Sequence, residues 1–110
     1  MNTPPDSLSE LREQLRQFAA ERDWEQFHVP KNLAMSVAIE AAEIMEHFQW
    51  LTPDESAALP EAQRSAVAHE IADVLLYLVR LADVLDIDLV EAALDKMVIN
   101  GRKYPVVRGI

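Results

Sequence analysis

The stretch His69-Glu70-Ile71-Ala72-Asp73-Val74-Leu75-Leu76-Tyr77-Leu78-Val79-Arg80 decides how the chain is read. It is helix-forming and apolar over most of its circumference, interrupted by one polar line of Glu70, Asp73, Tyr77 and Arg80. A second stretch has the same construction: Glu40-Ala-Ala-Glu43 is bracketed by Val37, Ile39, Ile44, Met45 and Phe48. Three residues along an α-helix turn the chain by about 300°, so each acidic pair projects from one face. Taken by spacing alone, such pairs suit a solvated surface. Set among so many apolar neighbours, they point to an interior seam between two helices. Four carboxylates there would be costly through desolvation and mutual repulsion unless a cation or protons offset them.

Working outward, every segment reads as helix or connection. Met1 to Asp6, with Pro4-Pro5, is a loose leader, and Ser7 with Glu10 forms a capping box that opens a first helix to about Arg22. Leu8, Leu11, Leu15 and Phe18 form its stripe, with Arg12, Glu13 and Arg16 outward. Asp23 to Pro30 breaks the pattern as an aromatic loop, because Pro30 discourages helix at Val29. A second helix is expected from Lys31 or Asn32 to Trp50, with Leu33, Val37, Ala41, Ile44, Met45 and Phe48 as core. Thr52-Pro53-Asp54-Glu55 is a strong N-terminal signal for a short helix ended by Pro60. A third long helix follows over Glu61 to Leu85, with Val67, Ile71, Val74, Leu75, Leu78 and Leu85 on its apolar face. Asp88 and Glu91 open the last helix, to about Arg102, with Leu89, Val90, Ala93, Leu94 and Met97 inward and Lys96, Asn100 and Lys103 on another face. An irregular tail covers 104–110. The expectation is one all-α domain over 1–110, a four-helix bundle with an additional short helix between the second and third long helices.

Composition limits what such a domain can do. With 110 residues, half of them hydrophobic and only two glycines, it has more apolar helix face than one small bundle can bury, which predicts self-association. The net charge of −9 disfavours nucleic acid polymers, which demand clustered Lys and Arg. No cysteine, no signal-like N-terminus and no membrane-length apolar run lead to an expected cytoplasmic, soluble location.

The acidic pairs are hard oxygen donors without cysteine or a Glu-x-x-His pairing, a set suited to Mg²⁺, with Mn²⁺ as a substitute. A di-iron bundle would need histidine three residues after a glutamate, and none of these positions has it. Carboxylates in a bundle seam with Lys96, Asn100 and Lys103 nearby would make a Mg-polyphosphate site, although read alone the Lys96/Asn100/Lys103 line suits a solvated face. Trp24, Phe27, His28 and Trp50 offer stacking surfaces for a nucleobase, or alternatively an interface cluster. His47 and His69 read as helix-surface residues without a role.

With these residues in view, the chain resembles the MazG-like all-α nucleotide pyrophosphohydrolases, and within them the dCTP pyrophosphatase branch. The run Phe18-Ala-Ala-Glu-Arg-Asp-Trp-Glu-Gln-Phe-His28, both acidic pairs, Phe48-Gln49-Trp50, Asp73-Val-Leu-Leu-Tyr77 and Lys96-Met-Val-Ile-Asn100-Gly-Arg-Lys103-Tyr104-Pro105 are similar to that pattern. The resemblance implies that Glu40, Glu43, Glu70 and Asp73 bind Mg²⁺ and carry catalysis; a carboxylate not consumed by the metal would serve as general base, with Glu43 the candidate. It implies that Trp24, His28 and Trp50 enclose the base, and that Tyr77, Lys96, Asn100, Lys103 and Tyr104 bind the rest of a nucleoside triphosphate. The broader family has a glutamate directly before the first metal ligand; here that position is Ile39, as in the dCTP branch. The implied reaction is attack of water between the α and β phosphates, giving dCMP and pyrophosphate in nucleotide-pool house-cleaning. The implied assembly is a homotetramer, a dimer of dimers with shared base pockets. Alternatives are a related enzyme with dUTP or broad preference, or a non-enzymatic acidic helical oligomerisation module.

Overall fold

The computed structural model describes residues 7–107, and all regular structure among them is helical: α1 Leu8–Glu21, a 3-10 turn Glu25–Phe27, α2 Pro30–Phe48, α3 Pro53–Ala57, α4 Glu61–Val84 and α5 Leu89–Lys103. The expected leader, 1–6, and the last three residues of the tail lie outside the described residues. No helix among the described residues is long and apolar enough to cross a membrane.

Local chemistry explains the boundaries. Ser7, Thr52 and Asp88 cap α1, α3 and α5 by accepting the backbone N–H of Glu10, Glu55 and Glu91, and Thr52 with Glu55 completes both halves of a capping box. Pro30 occupies the first turn of α2 behind an extended Val29. The helix therefore starts one residue before the sequence expectation, because proline is preorganised for that position. It ends two residues early, at Phe48, leaving Trp50 in the following turn.

Two helix ends share a device that the sequence reading did not anticipate. At the end of α1, the N–H groups of Trp24 and Asp23 donate to the carbonyls of Ala19 and Ala20; at the end of α4, those of Ile87 and Asp86 donate to Ala82 and Asp83. Both are Schellman motifs, with Asp23 at φ 55° and Asp86 at φ 56° in the left-handed position usually given to glycine. Aspartate tolerates that conformation better than most non-glycine residues. The first motif folds Trp24 back toward Phe18.

Helix α4 is the organising element, packed chiefly against α2 and also against α1. The buried apolar residues are Ala19 on α1, Leu33 on α2, and Val67, Val79 and Ala82 on α4. Several expected core residues are exposed instead: Ile71 at 54%, Leu75, Leu78 and Leu85 on or just after α4, and Met45 at 62% on α2. Helix α5 makes at most marginal contacts with the others. Leu89 is half-buried, and Val90, Ala93, Leu94 and Met97, expected inward, are exposed, as are Val98 and Ile99. The helix forms, but among the described residues nothing covers its Ala93, Leu94 and Met97 face.

Global dimensions agree with that picture. The radius of gyration is 17.5 Å, against about 13 Å for a compact chain of this length. The accessible surface is 8928 Å², where a compact monomer of this mass exposes roughly 6,100 Å².

Candidate metal centre and adjoining cavity

Packing of α2 on α4 brings the two acidic pairs together. Glu40, Glu43 and Glu70, all half-buried, have carboxylate oxygens within 4.8 Å of one another. Oxygens sharing one Mg²⁺ at about 2.1 Å stand roughly 3 to 4.2 Å apart, so a small side-chain closure would let all three ligate one ion. One oxygen of Glu40 and one of Glu70 are buried without any hydrogen-bond partner. Orphaned carboxylate oxygens are expensive unless a cation or proton meets them.

The electrostatics carry the same message. The Glu40 carboxyl is pushed up from 4.5 to about 6, first by desolvation, then by its hydrogen bond with Glu43 and the charges of Glu43, Asp73 and Glu70. Glu70 is also raised, first through its hydrogen bond with Glu43, then by burial and the charges of Glu43 and Asp73. Carboxylates gathered this closely repel one another unless protons or a divalent ion lie between them. The donor set and the orphaned oxygens fit a hard divalent cation. His47, given no role from the sequence, is near enough to lower the Glu70 pKa in part.

Asp73 is exposed and stands outside this three-residue group. Its charge still acts on Glu40 and Glu70, and its side chain lines a cavity of about 490 Å³. Phe18, Trp24, Phe27 and His28 form the aromatic wall of that cavity, with Leu15, Ala19, Leu76, Tyr77 and Arg80 completing it. Phe18 and Trp24 pack edge to face with centroids 5.5 Å apart, and the Arg22 guanidinium covers Phe18 at 3.4 Å. The volume falls within the range of small-molecule sites. Asp73 therefore joins the carboxylate cluster to the aromatic cavity.

Other predicted site residues are not gathered there. Trp50 is 87% exposed and does not line the cavity. Lys96, Asn100, Lys103 and Tyr104 are exposed on or just after α5, and among the described residues no ion pair links Lys96 or Lys103 to a carboxylate. Lys103 lies over the Tyr104 ring instead, at 5.3 Å.

Phe18, which belongs both to the helical stripe of α1 and to the Phe18–His28 run, is 45% exposed at the cavity wall. Arg16, expected outward, reaches across to Asp83 with its Nε 2.7 Å from Oδ2. Asp83 also accepts from Arg80 NH1 at 3.4 Å, and Arg80 Nε donates to His28 Nδ1 at 3.0 Å. A signal existed in the i,i+3 spacing of Arg80 and Asp83, but only the fold brings α1 and the 3-10 turn to them.

The human and mouse proteins named dCTP pyrophosphatase 1 are 45% and 43% identical over 105 and 106 residues, each match covering 94% of this chain. The chain spans 62% of the length of these curated relatives. A crystal structure of a pyrophosphatase from Archaeoglobus fulgidus superposes with a TM-score of 0.86 at 44% identity, covering 96% of this chain and 99% of that one. Residues 35–109, which carry both acidic pairs and α5, match the model of the MazG-like family. With its acidic pairs on α2 and α4, this chain belongs to the MazG-like family.

Proposed function

We propose that the protein is a Mg²⁺-dependent nucleoside triphosphate pyrophosphohydrolase that cleaves dCTP-like nucleotides between the α and β phosphates, releasing the monophosphate and pyrophosphate. The observation that carries this reading is the position of Asp73, which lines the aromatic cavity and acts electrostatically on the Glu40/Glu43/Glu70 cluster. A planar base held in the cavity would extend its phosphates toward the carboxylates. The names of the human, mouse and Archaeoglobus relatives support the same reaction class.

Glu40, Glu43, Glu70 and Asp73 would hold the metal. When bound, Mg²⁺ supplies a more acidic water and neutralises charge on the leaving pyrophosphate. Glu43, close to both Glu40 and Glu70, would accept the proton of the attacking water. Trp24 and His28 would flank the base, with Tyr77 at the same wall.

The remaining groups would come from self-association. The chain exposes well over roughly 2,000 Å² more surface than a compact monomer, more than one side of a standard interface of about 800 Å². A homotetramer built as a dimer of dimers would bury the free faces of α4 and α5. It would also let Trp50 of one copy, with Lys96, Asn100, Lys103 and Tyr104, complete the site of another. Nucleotide-pool cleansing is the role such chemistry suits.

The test is pyrophosphate release from dCTP, 5-methyl-dCTP, dUTP, dTTP, dATP, dGTP and ribonucleotides, with Mg²⁺ and with EDTA. Metal-dependent turnover favouring deoxycytidine triphosphates is expected. Equal rates across the panel would replace the substrate preference with a broad one, and no turnover with any nucleotide would overturn the enzymatic reading.

A further inference from the structure

Arg80 is a buried charged residue, and it lies at the cavity wall against an imidazole. Its Nε donates to Nδ1 of His28 at 3.0 Å, and its NH1 donates to Asp83. Asp83, 8% exposed at its side chain, accepts in turn from Nε and NH2 of Arg16. A single carboxylate thus anchors two guanidinium groups, and the chain of contacts ties α1 and α4 to the end of the aromatic turn.

This arrangement fixes the imidazole proton. Arginine does not give up its proton in proteins, so the nitrogen facing it must be an acceptor. Protonated Nδ1 would set N–H against N–H. Neutral His28 then carries its proton on Nε2, for which no protein partner is found among the described residues, while the ring lines the cavity beside Trp24, centroids 6.1 Å apart. Burial, followed by the Arg80 charge, also lowers the pKa of His28, favouring the neutral ring.

We propose that Arg16, Asp83 and Arg80 form a positioning relay that locks His28 in the Nε2–H tautomer, so that the cavity wall offers a hydrogen-bond donor to an acceptor on a planar ring. A ring carbonyl oxygen or an unprotonated ring nitrogen satisfies it. A ring presenting only donors at that edge would leave the N–H unpaired and be disfavoured. The ligand half of the proposal rests on the nucleotide reading of the cavity; the tautomer half does not. Arg80 is a positioning residue that selects substrate through His28.

The test begins without nucleotide. Two-bond ¹H–¹⁵N correlation spectra of the whole protein at neutral pH, with His47 and His69 as internal references and His28→Asn for assignment, should show His28 as the Nε2–H tautomer. Arg80→Met should release it into a mixture, and Arg80→Lys, which can still donate, should restore it. With dCTP and Mg²⁺, Arg80→Met should raise KM about tenfold, the loss in KM exceeding that in kcat, as expected for one misplaced hydrogen bond. An Nδ1–H or cationic His28 in the unmodified protein would overturn the relay even if Arg80→Met fails to fold. So would unchanged tautomer populations in folded Arg80→Met. The expected tautomers in a protein that turns over no nucleotide would uphold the relay and overturn the nucleotide reading instead.

Discussion

Helices α2 and α5 are both amphipathic, yet the structure treats them in opposite ways. Helix α2 packs on α4, buries Leu33 to 2% exposure and carries Glu40 and Glu43 into a shared cluster. Helix α5 keeps Leu94 at 58% and Met97 at 69% exposure, with Lys96 and Asn100 on another exposed face. A hydrophobic stripe states that a face needs a partner; it does not say whether the partner belongs to the same chain. Glu40, Glu43 and Glu70 are brought together inside one chain, whereas Lys96 and Asn100 stand on a helix whose apolar face is left uncovered by the described residues.

The largest effect should come from the acidic residues. Glu43→Gln or Asp73→Asn should lower pyrophosphate release by about a thousandfold or more, roughly 4 kcal/mol of transition-state stabilisation, while circular dichroism retains the helical signal. Near-normal turnover in both variants would separate the acidic cluster from the chemistry.

Next in size is a contrast in packing. Leu33→Ala should destabilise by about 2–5 kcal/mol, the cost of a cavity in a filled core. Leu94→Ala, studied in dilute protein, should cost about 1 kcal/mol or less because its site is already solvated within the chain. Denaturant midpoints measure both, and equal losses would mean that α5 is as firmly held as α2.

Charge on the free face should affect assembly more than folding. Leu94→Glu with Met97→Glu should at least halve the solution mass measured by light scattering and leave α1, α2 and α4 folded. An unchanged mass would remove α5 from the interface.

The smallest effect is electrostatic. Glu40 titrates near 6 in the folded protein against an ordinary 4.5. Between those values the native state binds the extra proton, so this group's contribution to stability falls as pH rises. In metal-free protein, the Tm contribution should therefore decline from pH 4.5 to above 6. Mg²⁺ should raise Tm more at pH 7.5 than at pH 5, because protons compete for the same oxygens. Thermal scans with Mg²⁺ and with EDTA at the two pH values measure this; an equal rise at both would place the ion elsewhere.

Helix-forming residues and caps act over three or four positions, so sequence by itself determined the all-α class, the starts of α1, α3 and α5, and the pairing of Glu40 with Glu43 and Glu70 with Asp73 on their helix faces. The helix ends at Asp23 and Asp86 were less visible, because a left-handed C-cap is usually marked by glycine and here aspartate fills it. What tertiary structure decided is which faces meet. It joined Glu40, Glu43 and Glu70 while turning Asp73 toward the aromatic cavity, and it linked Arg16 to Asp83 across 67 residues of chain. It also left Ile71, Leu94 and Met97 exposed. Periodicity fixes the direction of a side chain about its own helix axis, but burial and ligand geometry depend on the helix that occupies the facing position, and that is set by packing between distant segments.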